Sequence, residues 1–215
     1  MKLIAHRGLS QDFPDNTTES FLAAIKAGFD MIELDIQLSK DNQIFIYHDT
    51  NINNRLLKTL LFSEIQKRNS SILLLKDFFT LVLQSNTEVY LDIKGNEIDI
   101  CYPLHCLLQG MNLSRIYIAS FNIHIIESLY SLSPYYQLGI ISENKFPISM
   151  LSLLIETFQL SFFSFHWTML DHTCLKFLKE KKVSVFTYTL KNNDIRQFMM
   201  EYNVDGIVSN YMIKN

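Results

Sequence analysis

Glu33 and Asp35 stand one residue apart inside an apolar run, Met31-Ile32-Glu33-Leu34-Asp35-Ile36. Alternate side chains of a strand share a face. If this run is a strand, the two acids point one way and Ile32, Leu34 and Ile36 the other. Two carboxylates on one inward face repel unless a cation or a proton lies between them. A hard divalent ion, Mg²⁺ or Ca²⁺, suits oxygen ligands of this kind. A third acid, Asp92, sits in Val89-Tyr90-Leu91-Asp92-Ile93 and shares a face with Lys94. By itself that pair also fits a structural ion pair; beside Glu33 and Asp35 it reads as a third ligand and a phosphate-binding cation. His6 and Arg7 end Leu3-Ile4-Ala5 and precede Gly8, which permits a tight turn. His48, followed by Asp49, is a second imidazole. Imidazoles move protons near neutral pH, and Arg presents a planar fork to phosphate oxygens. Together these residues make up the parts of a metal-assisted phosphodiester chemistry.

Such groups, scattered over separate strand ends, need an architecture that brings strand ends together. Strand-like runs fall at Leu3 to His6, Met31 to Ile36, Val89 to Ile93, Ile116 to Ser120, Gln137 to Ile141, Phe162 to Phe165, Ser184 to Thr189 and Gly206 to Ser209. Helix-like stretches lie at Thr17 to Ala27, Lys76 to Gln84, Ile98 to Gln109, Ile123 to Leu132, Met150 to Phe158, Thr173 to Lys181 and Asn193 to Tyr202. Alternating strands and helices imply parallel strands with crossover helices. Eight such units predict an α/β fold, a (β/α)8 TIM barrel, with catalytic groups at the carboxyl ends of its strands. An open doubly wound sheet fits less well, because no Gly-rich phosphate loop follows the first strand. The first helix is expected to be capped by Asn16, with Glu19 completing a capping box, and ended by Gly28. One segment breaks the alternation. Gln43 to His48 follows the second strand after only Ser39-Lys40-Asp41-Asn42, a hairpin turn rather than a crossover. It is expected to return antiparallel and bring His48 beside Glu33 and Asp35.

The chain has 215 residues, 48% of them apolar, which predicts one packed domain over residues 1–215. A net charge of −3 without Lys or Arg runs argues against nucleic acid or an anionic membrane surface as partner. Three cysteines without metal-like spacing fit a reducing interior. The longest apolar runs are too short or too interrupted to span a bilayer, and Met1-Lys2 leads directly into a strand. A cytoplasmic protein without stable membrane insertion is expected. Of the remaining histidines, His105, His124 and His172 fall in helices or loops, and His166 ends a strand beside Trp167, within reach of a pocket.

The set His6-Arg7-Gly8, Pro14-Asp15-Asn16-Thr17, Glu33-Leu34-Asp35-Ile36-Gln37-Leu38-Ser39-Lys40-Asp41, His48-Asp49, Asp92-Ile93-Lys94, Ser120-Phe121 and Val204-Asp205-Gly206-Ile207 resembles the glycerophosphodiester phosphodiesterase family, part of the phospholipase-C-like TIM-barrel phosphodiesterases. The resemblance implies metal-dependent hydrolysis of a small glycerophosphodiester to glycerol 3-phosphate and an alcohol, in lipid and glycerol metabolism. It implies one divalent cation on Glu33, Asp35 and Asp92, acid–base catalysis by His6 and His48, and phosphate contacts from Arg7 and Lys94. Phe121, Trp167 and Tyr188 would supply an apolar wall for the glycerol backbone.

The chain departs from the family pattern in several places. Asp15 and Asp92 stand where the family has Glu, Tyr188-Thr189 where it has Trp-Thr, and Ser209-Asn210 where it has Thr-Asp. Arg55 is the candidate for the Arg usually found soon after His-Asp. The insertion that roofs the substrate is reduced to Leu56 to Asn69. Two alternatives follow: a related phosphodiesterase acting on lysophospholipids, and a degenerate barrel that binds a phosphodiester without turnover.

Overall fold

The computed structural model describes residues 1–82, 85–190, 198 and 201–212. The chain opens with β1 (Lys2–His6), α1 (Thr18–Ala27) and β2 (Met31–Leu38). A short β3 (Ile44–Ile46), a two-stranded hairpin of β4 (Asn51–Ile52) and β5 (Arg55–Leu56), and the helices α2 (Phe62–Arg68) and α3 (Leu75–Val82) follow. The alternation is then regular: β6 (Glu88–Ile93), α4 (Cys101–Leu108), β7 (Ile116–Ser120), α5 (Ile123–Leu132), β8 (Gln137–Ser142), α6 (Ile148–Phe158), β9 (Phe162–His166), α7 (His172–Glu180), β10 (Ser184–Leu190) and β11 (Gly206–Ser209). Eight of these strands pair in parallel in the order β1-β2-β6-β7-β8-β9-β10-β11, and β11 pairs with β1 to close the sheet. This is the expected (β/α)8 barrel.

The expected hairpin is present: β3 runs antiparallel to β2, with Ile36 opposite Ile46 and Leu38 opposite Ile44. The helix expected from Ile98 to Gln109 starts as a 3₁₀ turn over Ile98–Ile100 and becomes α-helical only at Cys101. The helix expected from Asn193 to Tyr202 lies outside the described residues except at Phe198, Glu201 and Tyr202, and so does the end of the Lys76 to Gln84 stretch. The expected cap of α1 is corrected. Thr17 is the N-cap, and Ser20, not Glu19, closes the capping box. Asn16 is instead turned out of the helix at φ 58°. Gly28 ends α1 in the left-handed conformation, as expected. No described helix is long and apolar enough to cross a membrane.

Burial divides into two shells. The outer one lies between sheet and helices and includes Ile32, Leu34, Phe78, Leu104 and Ile126. The inner one fills the barrel with Ile4, Met31, Tyr90, Ala119, Ile141, Phe162, Phe186 and Val208. Its rings interlock: Phe162 lies 4.9 Å from Phe186, and Tyr90 meets Phe162 edge-on at 5.5 Å. Each such buried ring contributes roughly 1.5–3 kcal/mol. Gly139 makes the space for one of them, since a Cβ there would sit 2.5 Å from the Phe162 ring. At the amino-terminal end of the barrel, Lys2 pairs with Glu88 and hydrogen-bonds the Tyr117 hydroxyl.

The inner shell fixes what faces the carboxyl end. Counting two residues on from inner-shell members along each strand reaches His6, Glu33, Asp92, Phe121, Glu143, Ser164, Tyr188 and Asn210; a further step reaches Asp35, Lys94 and His166. The mouth of the barrel is the continuation of its own interior.

Candidate active site

Strand register places the acids together. His6 lies opposite Glu33, and Asp35 opposite Asp92, in adjacent parallel strands. One carboxylate oxygen from each of Glu33, Asp35 and Asp92 lies within 4.8 Å of the other two. All three are buried: Glu33 is 4% exposed, Asp35 1% and Asp92 6%. Lys94 Nζ donates to Asp92 Oδ2 at 2.5 Å and stands 3.0 Å from Asp35 Oδ1. Arg7 Nε lies 2.9 Å from Asp35 Oδ2, which also accepts from Asn16 Nδ2 at 2.8 Å. The backbone N–H of Arg7 donates to Glu33 Oε2 at 2.9 Å.

This crowding sets the protonation of the group. Burial, added to the charges of Asp35 and Asp92, pushes the Glu33 carboxyl well above the usual carboxylate range. Burial pushes Asp92 up to about 6 despite the attraction of Lys94. Burial acts against the Asp35 carboxylate too, but Lys94 and Arg7 outweigh it and hold Asp35 below its ordinary value. Burial also opposes the charge of Lys94, and Asp92 and Asp35 more than restore it. Asp92 Oδ1 is buried and has no partner, and Asp35 Oδ1 meets only the Lys94 ammonium. Three buried carboxylates with oxygens within 4.8 Å of one another, one of them unengaged, fit a hard divalent ion. Without such an ion the cluster favours a proton on Glu33.

The loop after β1 is built to hold Arg7. Arg7 itself takes φ 57°, a left-handed conformation that costs any non-glycine residue and is tolerated where contacts fix it. Gly8 follows at φ 81°, where a Cβ would lie 2.4 Å from Ser20 Oγ on α1. Ser20 Oγ donates to the Arg7 carbonyl, and Asp15 Oδ2 accepts from Arg7 Nη1 at 3.0 Å. The loop, the first turn of α1 and Asp35 thus form one unit around the guanidinium.

The two histidines differ in setting. His6 Nδ1 lies 2.6 Å from Asn210 Oδ1. An amide oxygen only accepts, so Nδ1 carries the proton and Nε2 keeps its lone pair. Burial and the Arg7 charge lower the His6 imidazole to about 4, against the pull of Asn210. His48 is 42% exposed in its side chain and donates from Nδ1 to Asp49 Oδ1 at 2.7 Å. Gln37 Nε2 holds this segment down through the carbonyls of Tyr47 and Asp49, at 2.7 and 2.8 Å.

One cavity of about 1360 Å³ opens at this end of the barrel. His6, Arg7, Glu33, His48, Asp92 and Lys94 line it on one side, and Phe121, Trp167 and Tyr188 on the other. Asp35, the remaining expected site residue, lies beneath the lining, locked by Arg7, Lys94 and Asn16. Arg55, in the β4–β5 hairpin, does not line it. Sequence reasoning missed three contributors. Asn16 was assigned to a helix cap and instead orients Asp35. Asn210 was noted only as a departure, and it is the partner of His6. Glu143 went unnoticed, although it continues the inward alternation Gly139, Ile141, Glu143. His166, within reach of a pocket by its place in the sequence, lines the cavity and hydrogen-bonds Thr168 at 2.7 Å.

A (β/α)8 barrel with a buried acidic triad, two cations and two imidazoles at its carboxyl end defines a phosphoester-processing barrel enzyme. The glycerophosphoryl diester phosphodiesterase family matches residues 6–214, and the chain belongs to that family. It is 26% identical over 231 residues to a glycerophosphodiester phosphodiesterase of Caldanaerobacter subterraneus subsp. tengcongensis, covering 96% of this chain and 93% of the relative. It is 28% identical over 152 residues to a human lysophospholipase D, covering 60% of this chain and 48% of that one. Among solved structures, it shares its fold with an Oleispira antarctica phosphodiesterase in complex with the product sn-glycerol-3-phosphate (TM-score 0.87, 21% identity, 98% of this chain and 93% of that one). A Thermotoga maritima glycerophosphodiester phosphodiesterase matches at TM-score 0.84 and 21% identity, over 98% and 94% of the two chains.

Proposed function

We propose that this chain, as one domain, hydrolyses glycerophosphodiesters to sn-glycerol 3-phosphate and an alcohol, with one divalent ion, Mg²⁺ or Ca²⁺, on Glu33, Asp35 and Asp92. The observation that carries the reading is the buried triad of Glu33, Asp35 and Asp92, with Asp92 Oδ1 unpartnered, beside two cations and two imidazoles at one cavity. Anion binding falls to Arg7 and Lys94, whose charges lie where a phosphoryl group would approach the acids. In the transition state negative charge grows on the phosphoryl oxygens, and fixed cations in a water-poor site stabilise it more strongly than in bulk. Removing one such donor typically costs about 10²–10³ in rate.

The protons are divided by setting. His6 is neutral at physiological pH, with Nε2 free, and takes the proton of the attacking water, or of a glycerol hydroxyl whose attack gives a cyclic phosphate that water then opens. His48, backed by Asp49 and nearer solvent, delivers a proton to the leaving alcohol oxygen. Asn210 and Asp49 fix the ring orientations, and Asn16 keeps Asp35 aimed at the cluster. When bound, a divalent ion would neutralise the acidic triad and supply Lewis-acid polarisation of the phosphate. Three unpaired cysteines support a reducing compartment, and we place the enzyme in the cytoplasm.

Release of glycerol 3-phosphate from glycerophosphocholine and glycerophosphoethanolamine, with EDTA, Mg²⁺ or Ca²⁺, tests this reading. Divalent-dependent turnover that disappears in His6→Ala is expected. Turnover unchanged by EDTA would remove the metal role. Binding without turnover under every ion would favour the degenerate barrel instead. The exposed rings of Phe121 and Trp167 at the cavity rim support a second reading, in which a lysophospholipid is the better substrate. A higher kcat/KM for lysophosphatidylcholine than for glycerophosphocholine would select it.

A further inference from the structure

The chemistry assigned above uses β1, β2, β6 and the His48 hairpin, and leaves the arc of the mouth from β7 to β10 without a role beyond walling the cavity. We propose that this arc is a subsite for a cationic leaving alcohol, a quaternary ammonium or primary amine head group, centred on Glu143, Trp167 and Tyr188. The proposal rests on the phosphodiesterase reading of the same cavity and names the head group that reading leaves open.

Three observations support it. The first is charge. The cations lining the cavity, Arg7 and Lys94, sit together on the β1 and β6 side. On the other side the charged lining residues are Glu143 and Glu201, and among the described residues no Lys or Arg lines that arc. Lys145, two residues from Glu143, lies 3.7 Å from Asp171 Oδ2 and so is engaged elsewhere. The cations of the cavity are therefore confined to the side where a phosphate and its metal would sit, amid Glu33, Asp35 and Asp92, and the charge across from them is acidic, a division that suits a zwitterion.

The second is the surface between those poles. Trp167 packs on His166 at 5.8 Å, His166 meets Tyr188 edge-on at 5.7 Å, and Tyr188 meets Phe121 edge-on at 6.3 Å. Trp167 is 44% exposed, so its ring surface is available to a ligand, whereas the Phe121 ring already has Lys94 Nζ 5.7 Å from its centroid. Aromatic faces beside a carboxylate attract ammonium groups by their quadrupole and by charge. A neutral polyol gains neither, and an anionic head group is repelled. The third is the Tyr188 hydroxyl, which is buried and has no hydrogen-bond partner. An unpaired buried hydroxyl is costly, and a bound head group or its ester oxygen would satisfy it. The charge of Glu143 reaches this phenol and, after burial, helps raise it above its ordinary value.

Trp167 is the single tryptophan of the chain, so its fluorescence reports this arc directly. The experiment titrates glycerophosphocholine and glycerophosphoglycerol against that fluorescence in the Mg²⁺-loaded His48→Ala protein, and compares kcat/KM for both in the otherwise native protein, with and without Glu143→Gln. Glycerophosphocholine is expected to bind about tenfold more tightly and to be hydrolysed with a correspondingly higher kcat/KM. Glu143→Gln is expected to erase the difference by weakening only the cationic ligand, and added salt to shrink it. Equal affinities, no binding of either ligand, or a Glu143→Gln effect shared by both would overturn the subsite. The phosphodiesterase reading fails separately: preferential, Glu143-dependent binding without hydrolysis of either compound would remove that reading and leave the subsite standing.

Discussion

The mouth of the barrel has two halves built by opposite rules. On β1, β2 and β6 the inward positions are charged and buried: Glu33, Asp35 and Asp92 are at most 6% exposed, and Lys94 and Arg7 are tied to them. On the arc from β7 to β10 the mouth is walled largely by rings, Phe121, His166, Trp167 and Tyr188, and Phe121 and Trp167 are open to solvent. The first half is an electrostatic network in which Arg7, Asp35 and Lys94 each hold two or more partners. The second offers surface, with the Tyr188 hydroxyl left unpaired. A network with fixed partners can stabilise a changing charge without reorganising, whereas an open aromatic wall discriminates among ligands by a few kcal/mol at most. Under the proposed function chemistry falls to one half and selectivity to the other, a division that can be broken by substitutions that act on one half alone.

The largest effect belongs to the charged half. His6→Ala and His48→Ala should each lower kcat by about 10²–10⁴, by the same factor whichever head group the diester carries. The check is initial-rate release of glycerol 3-phosphate from substrates with choline, ethanolamine and glycerol head groups. A loss confined to one head group would place that histidine in the selectivity half and undo the division.

Next in size is the response to metal. An ion that binds only the folded protein stabilises it by about 2.7 kcal/mol at a hundredfold excess over Kd. Mg²⁺ or Ca²⁺ should therefore raise Tm of the native protein by several degrees, and Asp92→Asn should abolish most of that rise. Asp92→Asn also removes one of the repelling acids, so the metal-free variant should melt no lower than the native protein. Thermal melts with EDTA and with each ion decide this. A Tm rise that survives in Asp92→Asn would take Asp92 out of the ligand set. Substitutions in the aromatic half, such as Trp167→Ala, should leave the metal shift unchanged.

The two halves were also unequally legible. The charged half announces itself in the sequence because carboxylates and imidazoles are out of place in apolar strands, and the spacing Glu33-x-Asp35 or Asp92-x-Lys94 betrays a shared face. The fold followed from the alternation of strand-like and helix-like runs, and the hairpin before His48 from a four-residue polar turn. Rings in the aromatic half look like core in any sequence; Phe121, Trp167 and Tyr188 were singled out only through family resemblance. Glu143 sits just past the end of β8, where a strand reading stops, and only its phase with Gly139 and Ile141 aims it inward. Asn16 was misread because an Asn at the start of a helix usually caps it. Here Thr17 satisfies the free N–H groups of α1, which releases Asn16 at positive φ to bond Asp35. That choice depends on what lies across the barrel, which local sequence does not encode.

The smallest effect concerns the seam between the halves, where β11 brings Asn210 to His6. Burial first, then the Arg7 and Lys94 charges, lower His6 to about 4, against the pull of the Asn210 hydrogen bond and Asp35. Asn210→Asp would put a carboxylate on Nδ1 and raise the imidazole from that value. His6 accepts a proton only while neutral, so the acid limb of kcat/KM that His6 contributes should move to higher pH, and the rate at pH 5 relative to pH 7 should fall. Stability moves the other way. The native imidazole titrates below the unfolded value of about 6.5, so the unfolded chain binds more protons between about 6.5 and 4, and stability attributable to His6 is lost as pH falls through that window. Raising the folded value narrows the window, and the variant should lose less stability on acidification. Imidazole NMR of the metal-free protein measures the shift itself, and pH–rate profiles measure its consequence. An unchanged His6 titration in Asn210→Asp would mean that the 2.6 Å contact positions the ring without tuning it, and that β11 holds geometry alone at the boundary between the two halves.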